Sequence, residues 1–302
     1  MSKIEELFHN IDGKVEELCK AENTTYLTSL SKYLSLEDDQ EYFSIVDRYS
    51  KEDIKKTYQF LLLKAVKELG DVNYGMTPEV ISFYMTSLAK AILKDNKVEV
   101  TDLASGSGNL LLALMNQLAN ESTYTSVEID SDYVKLQANI YNLLEKEVII
   151  YRQDALKDIN IALQDLVISD VPYAYYVDDN NAMNFKLCAR EGHSLNSFLF
   201  LEQATKYIKE NGVAILLMPK EIMNLDKQIK EFITEEINFN AFITLPEDMF
   251  KNSKQEKVIL IASKKNNKLL PRQVFLGHIS NIQSSSAYTN LLDSFNEWLE
   301  SK

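Results

Sequence analysis

One stretch constrains the fold of this chain more than any other: Val98-Glu99-Val100-Thr101-Asp102-Leu103-Ala104-Ser105-Gly106-Ser107-Gly108-Asn109, followed by the apolar run over 110–114. It reads as a buried strand, a glycine turn and a helix. Val98, Val100 and Leu103 are the apolar strand positions. Gly106 and Gly108 permit a sharp turn and a close ligand approach that a β-carbon would block. Asn109 suits the N-cap of a helix beginning at Leu110. Strand, Gly-x-Gly turn and helix N-terminus together form a nucleotide-type cradle.

What the cradle lacks narrows its ligand. Leu111 stands where the dinucleotide fingerprint has its third glycine, and the phosphate-binding lysine of a P-loop is missing. Asp102, at the strand end, would repel a pyrophosphate but suits an ammonium and a sulfonium. S-adenosylmethionine (SAM) carries both. Glu128, in Val127-Glu128-Ile129-Asp130, lies 22 residues beyond Gly106, where an acid takes ribose hydroxyls. The plainer alternative is an ordinary α/β turn with a capping asparagine, but the glycines and both acids fall in register.

At 302 residues the chain can bury a full α/β domain and a smaller second one. It is 45% apolar and 25% charged, as soluble globular chains are. No apolar run reaches bilayer length and the N-terminus is not a signal peptide, so a cytoplasmic protein with no membrane association is expected. Cys19 and Cys188 are too few and too far apart for a disulfide framework, and His9, His193 and His278 are scattered, so no metal site is expected. The net charge of −13 argues against tight, unspecific binding to duplex DNA.

Residues 1–95 read as helical. Ile4, Leu7, Phe8, Ile11, Val15 and Leu18 recur at helical spacing, 53–69 is an amphipathic helix ended by Gly70, and 37–49 is less clear. Thr77 is the expected N-cap of the next helix, with Pro78 and Glu79 in its first turn. From residue 96 the pattern alternates. Strands are expected over 98–103, 124–129, 148–152, 166–169, 213–218, 239–245 and 258–262, and helices around 110–120, 132–145, 195–210 and 222–236. Lys209-Glu210-Asn211-Gly212 reads as a helix stop. This predicts an α/β fold with a doubly wound, seven-stranded, mostly parallel sheet. The short connection over 246–257 makes its last strand antiparallel. The expected segments are 1–95 (helical), 96–268 (the α/β domain) and 269–302, an extension with a short strand over 273–276 and a helix over 288–300.

The fourth strand ends in Asp170-Val171-Pro172-Tyr173, at the sheet edge where α/β folds bind ligands. For a planar amine, Asp170 and the Val171 carbonyl can each accept one amino hydrogen. Pro172 would hold that carbonyl and Tyr173 would stack on the ring. Taken alone, a strand-end turn with a packed tyrosine fits equally well. Asp154 can accept a hydrogen bond from an adenine amino group, with Leu156 against the ring, or cap a short helix, and the two roles are compatible.

These residues resemble a family: class I SAM-dependent methyltransferases of the adenine-specific, amino-group DNA methylase type. The resemblance is closest to compact bacterial members with a helical N-terminal region, akin to modification subunits of restriction systems. It covers residues 70–265 and is carried by Met76-Thr77-Pro78-Glu79-Val80, Asp102 through Asn109, Val127-Glu128-Ile129-Asp130, Asp154-Ala155-Leu156 and Asp170-Val171-Pro172-Tyr173. The segment over 198–204 and the strand end Met218-Pro219 are similar too. The family's tetrapeptide has two prolines, and Val171 replaces the first. The resemblance implies a SAM site formed by Met76, Thr77, Pro78, Asp102, Ala104, Gly106, Gly108, Asn109, Glu128, Ile129, Asp154, Ala155 and Asp170. It also implies an amine-directing set of Asp170, Val171, Pro172 and Tyr173.

The expected function is N-methylation of adenine in DNA. The alternatives are an amine in RNA, protein or a small molecule, or a SAM-binding module acting through a partner. Lys251, Lys254, Lys257, Lys264, Lys265 and Lys268 form a local cluster that meets phosphates or is simply a solvated loop. The helical region is a packing layer over the cofactor cleft or a surface for a partner or a second copy.

Overall fold

The structure is a computed structural model that describes residues 2–35, 47–70, 76–119, 121–224, 227–249 and 256–301. Most of the unclear stretch over 37–49, together with Lys251 and Lys254, lies outside the described residues. In chain order the elements are α1 (Lys3–Glu22), α2 (Tyr26–Leu34), α3 (Lys51–Leu69), α4 (Glu79–Leu93), β1 (Glu99–Asp102), α5 (Asn109–Met115), β2 (Thr123–Glu128), α6 (Ser131–Leu143) and β3 (Ile149–Arg152). Then follow β4 (Gln164–Asp170), α7 (Asp179–Ala182), α8 (Asn196–Tyr207), β5 (Ile208–Pro219), α9 (Lys227–Glu235), β6 (Ile237–Thr244), β7 (Lys257–Lys264), β8 (Phe275–His278) and α10 (Ser285–Glu300). The chain divides into two compact units. The first comprises 1–76, 106–108 and 128–152, and the second comprises 77–105, 109–127 and 153–302.

The first unit is mainly helical. Ser2 and Glu5 form a capping box on α1, which buries Leu7, Ile11 and Val15 at four-residue spacing. Ser50 and Asp53 do the same for α3, which ends at Gly70 in the left-handed region, φ +66°. α2 and α3 pack on α6. Thr28 and Ser31 of α2 donate their hydroxyls to Asp132, fixing the first turn of α6.

The second unit is doubly wound. Eight strands form one sheet, and the seven in this unit run β2-β1-β4-β5-β7-β6-β8. β2, β1, β4 and β5 are parallel, and β7 is antiparallel to both β5 and β6. Consecutive residues are buried over 166–168, 213–218 and 258–262, so both faces of these strands are covered. The order reverses between β1 and β4, which opens a switch point at their carboxyl ends, Asp102 and Asp170.

Four expectations change. The sheet has eight strands, not seven, because 275–278 pairs parallel with β6 (Ile243 opposite Gly277). Lys209 to Gly212 are not a helix stop but an irregular stretch inside β5. Gln164 faces Ile208 while Leu166 faces Val213, and a side chain at Gly212 would crowd the Gln164 carbonyl. The helix expected over 222–236 is a 3₁₀ turn, Lys220–Asn224, and then α9. Finally, α4 is preceded by Pro78 with no side-chain cap. Thr77 does not cap it, because its hydroxyl is used elsewhere.

Candidate active site

The glycine elbow belongs to the first unit. Gly106 and Gly108 both have positive φ, +50° and +80°. Each carbonyl of the elbow receives a side-chain donor: Gln137 Nε2 to Gly106 at 2.5 Å, Tyr58 Oη to Ser107 at 3.1 Å and Tyr141 Oη to Gly108 at 3.3 Å. The turn is therefore set by α3 and α6 without a ligand. A β-carbon on Gly108 would collide with the Tyr141 ring (2.9 Å to Cζ), whereas one on Gly106 would meet no described atom within 4 Å. That open side suits close approach of a ligand.

Glu128 ties the elbow to the end of β2. Its Oε2 accepts from Gly106 N at 2.7 Å, and its Oε1 accepts from Ile129 N at 2.9 Å and Asp130 N at 2.8 Å. An ionised carboxylate has about four acceptor positions, so capacity for a hydroxyl remains on Oε2. Burial raises the Glu128 pKa above its ordinary value, and the three backbone N–H groups pull it back only in part. Glu128 protonates at higher pH than an ordinary glutamate, and this favours the folded form at low pH, an advantage lost as pH rises through the folded pKa. If Glu128 holds the ribose of SAM, as the sequence leads one to expect, affinity for SAM is expected to fall in acid at a pH above 4.5, the unperturbed value. Glu128→Gln should abolish that acid limb in calorimetric titrations. Ile129 is 67% exposed and makes no enclosed wall.

Apart from Met76, which ends the first unit's opening stretch, the remaining residues belong to the second unit. Asp102 is 1% exposed, and its Oδ1 accepts from Ala104 N at 3.1 Å and from Ser169 Oγ at 2.7 Å. Ser169 Oγ in turn accepts from Leu103 N at 2.9 Å. Asp102 thus braces the turn after β1 across the switch point. Asn109 opens α5 and donates its amide to the Thr77 carbonyl at 2.7 Å. Thr77 Oγ1 donates to Asp170 Oδ2 at 3.1 Å. Asp170 Oδ1 is ion-paired with Lys257 Nζ. Met76 is half-buried and Pro78 exposed beside them in sequence.

Val171 is fully buried, and its N–H donates to the Leu217 carbonyl at 3.1 Å, extending the ladder in which Asp170 faces Leu217. Proline has no N–H to give. The carbonyl that a ring would hold in the two-proline sequence is held here by that strand bond. Pro172 and Tyr173 follow, half-buried. Tyr173 Oη lies 3.5 Å from Glu221 Oε1, and burial, then the Glu221 charge, keeps its phenol protonated to higher pH than usual.

Asp154 starts a turn rather than a helix. Its Oδ1 accepts from Leu156 N at 2.9 Å and its Oδ2 from Tyr176 Oη at 2.6 Å. Asn181 steadies Tyr176 at 2.9 Å, and Gln203 holds the buried Ala155 by its carbonyl at 2.6 Å. The lysine cluster is not one patch. Lys257 and Lys264 begin and end β7, roughly 23 Å apart at strand rise, and Lys257 is bound to Asp170. Sequence reasoning missed Tyr58, Gln137, Tyr141, Ser169 and Tyr176, and it singled out Lys257 only as a member of the lysine cluster, not as a partner of Asp170. Only Tyr176 carried a local signal, as part of Tyr173-Ala174-Tyr175-Tyr176. Among the described residues no group of three or more His, Cys, Asp or Glu is placed to hold a metal, and no helix is long and apolar enough to cross a membrane.

A parallel core reversing between β1 and β4, a glycine elbow after β1 and an antiparallel strand beside β5 define a Rossmann-like methyltransferase fold. A provisionally assigned class I SAM-dependent methyltransferase from Listeria monocytogenes has the same fold, at TM-score 0.86 and 28% identity, covering 98% of this chain and 99% of that one. The methyltransferase subunit of a type I restriction-modification system from Streptococcus thermophilus shares the fold at TM-score 0.62 and 18% identity, covering 95% and 73%. The uncharacterized protein YtxK of Bacillus subtilis (strain 168) is 32% identical over 257 residues, 83% of this chain and 78% of that protein. The model of the N-6 DNA methylase family matches residues 49–296, and the chain belongs to that family.

Proposed function

We propose that the protein transfers a methyl group from SAM to the exocyclic amine of adenine in DNA. The observation that carries this reading is Asp170 at the switch point, held by Thr77 and followed by a carbonyl fixed through the Val171–Leu217 bond. The cofactor, when bound, supplies an electrophilic methyl group on a sulfonium. Within the first unit, the open side of Gly106 and the acceptor capacity left on Glu128 suit its ribose. Within the second, the Asp154–Tyr176 pair suits its adenine. Met76, Thr77, Pro78, Asp102, Ala104, Asn109, Ile129 and Ala155 complete the proposed set, with Asp102 bracing rather than touching.

On the acceptor side, Asp170 takes one amino hydrogen and the Val171 carbonyl the other, so the nitrogen lone pair is aimed. Tyr173 supports the ring by stacking. Alignment is the main contribution, since the proton can leave for solvent after attack and no strong base is required. The net charge of −13 favours a second reading, an amine outside DNA or DNA presented by a partner. Calorimetry with SAM followed by methyl-labelled SAM offered to duplex DNA, RNA, protein and small-molecule fractions tests both. Binding with label in N6-methyladenine of DNA is expected. Label elsewhere moves the substrate, and no binding at millimolar SAM overturns the reading.

A further inference from the structure

Asp170, the proposed amine acceptor, is already engaged at both oxygens: Oδ2 by the Thr77 hydroxyl and Oδ1 by the Lys257 ammonium. The side chains of Asp170 and Lys257 are 19% and 24% exposed, so the pair is partly shielded from water. The fold builds this contact. Lys257 is the first residue of β7 and faces Pro219 in antiparallel register, while Asp170 faces Leu217 on the other side of β5.

A cation in that place opposes the chemistry read from the site. Nitrogen becomes positive as it is methylated, and a carboxylate helps only while its charge is not already neutralised. Lys257 must therefore leave Asp170 before the acceptor works. Its sequence neighbour Glu256 is paired with Lys220, which also lies 3.9 Å from Glu247. Glu221 Oε1 faces the Tyr173 hydroxyl, and Oε2 is buried with no hydrogen-bond partner among the described residues. Glu256 and Glu247 are committed to Lys220, and an anion that arrives with the substrate offers the ammonium a counter-charge that the buried Glu221 oxygen does not present to solvent.

We propose that Lys257 determines specificity. It occupies the amine acceptor in the free protein, and it is released by a phosphate of the substrate, so the site selects amines carried on a phosphate-bearing framework over neutral ones. This rests on reading Asp170 as the amine acceptor.

The test uses two fluorescent, adenine-containing, random-sequence oligonucleotides of equal length, one with phosphodiester and one with uncharged methylphosphonate linkages. Anisotropy is measured for the full chain, Lys257→Met, Lys257→Gln and Lys257→Arg, with SAM calorimetry and thermal unfolding on the same samples. Wild type and Lys257→Arg should prefer the charged oligonucleotide by about tenfold or more. The Met and Gln variants should bind the uncharged one about tenfold tighter than wild type does, a gain that mere loss of a structural contact would not produce. Unchanged or weaker binding of the uncharged oligonucleotide overturns the proposal, as when Glu221 or solvent receives the lysine. Failure of both oligonucleotides to bind, with SAM binding intact, overturns the proposal and the nucleic-acid substrate together. Loss of SAM binding as well removes the cofactor reading itself.

Discussion

Alanine at Gly108 is expected to lower the unfolding midpoint by about 5–10 °C and to abolish SAM binding, whereas alanine at Gly106 is expected to shift the midpoint by only a few degrees. The backbone at both positions has positive φ, so each substitution carries about 1–2 kcal/mol of strain. Only at Gly108 does the new β-carbon also strike the Tyr141 ring, and such overpacking adds about 1–3 kcal/mol. Relief requires Tyr141 to swing away, which breaks its bond to the Gly108 carbonyl. Gln137 lies against the same spot and holds the Gly106 carbonyl, so two of the elbow's three clamps are disturbed by one methyl group. Thermal scans paired with SAM titrations read both effects. Equal melting of the two variants would show that the elbow is not clamped in this way.

Asp170→Asn is expected to lower methyl transfer by about 10²–10⁴-fold while leaving SAM affinity within a fewfold of wild type. The amide keeps the shape and one carbonyl acceptor but loses the charge that stabilises a developing ammonium. It also turns an N–H₂ group toward Thr77 or the substrate. Lys257 then loses its partner, but it is partly exposed and can extend into solvent, so the fold should survive. Quenched-flow or endpoint transfer assays with matched binding isotherms separate the two parameters. Parallel loss of both would place Asp170 in the cofactor site rather than on the amine.

The architecture was legible where local chemistry determines it. The apolar runs of β1, β4, β5 and β7, the Gly70 end of α3 and the elbow glycines all announce themselves within a few residues. What holds the elbow did not. Tyr58, Gln137 and Tyr141 reach it from 49, 31 and 33 positions away, and nothing about an isolated tyrosine or glutamine encodes such a contact. Thr77 was misread for a related reason. Its residue type suits a helix cap, and its hydroxyl instead serves Asp170, a partner brought in by tertiary structure. Lys257 was grouped with its sequence neighbours as part of a cluster that meets phosphates or is a solvated loop. Only the register of β7 against β5 reveals that its free-state partner is a carboxylate of the site.

The pairing of β8 with β6 makes the end of the chain a seal rather than a trailing appendage. Ala241 to Thr244 present main-chain groups that Phe275–His278 satisfies, and Trp298 of α10 returns to anchor the Gln273 carbonyl. A chain cut after residue 268 would leave that rim bare, a template on which neighbouring molecules can stack strand upon strand. A chain cut there is expected to scatter more light on storage than the full chain, because the sheet would exchange a short four-residue edge strand for an eight-residue one.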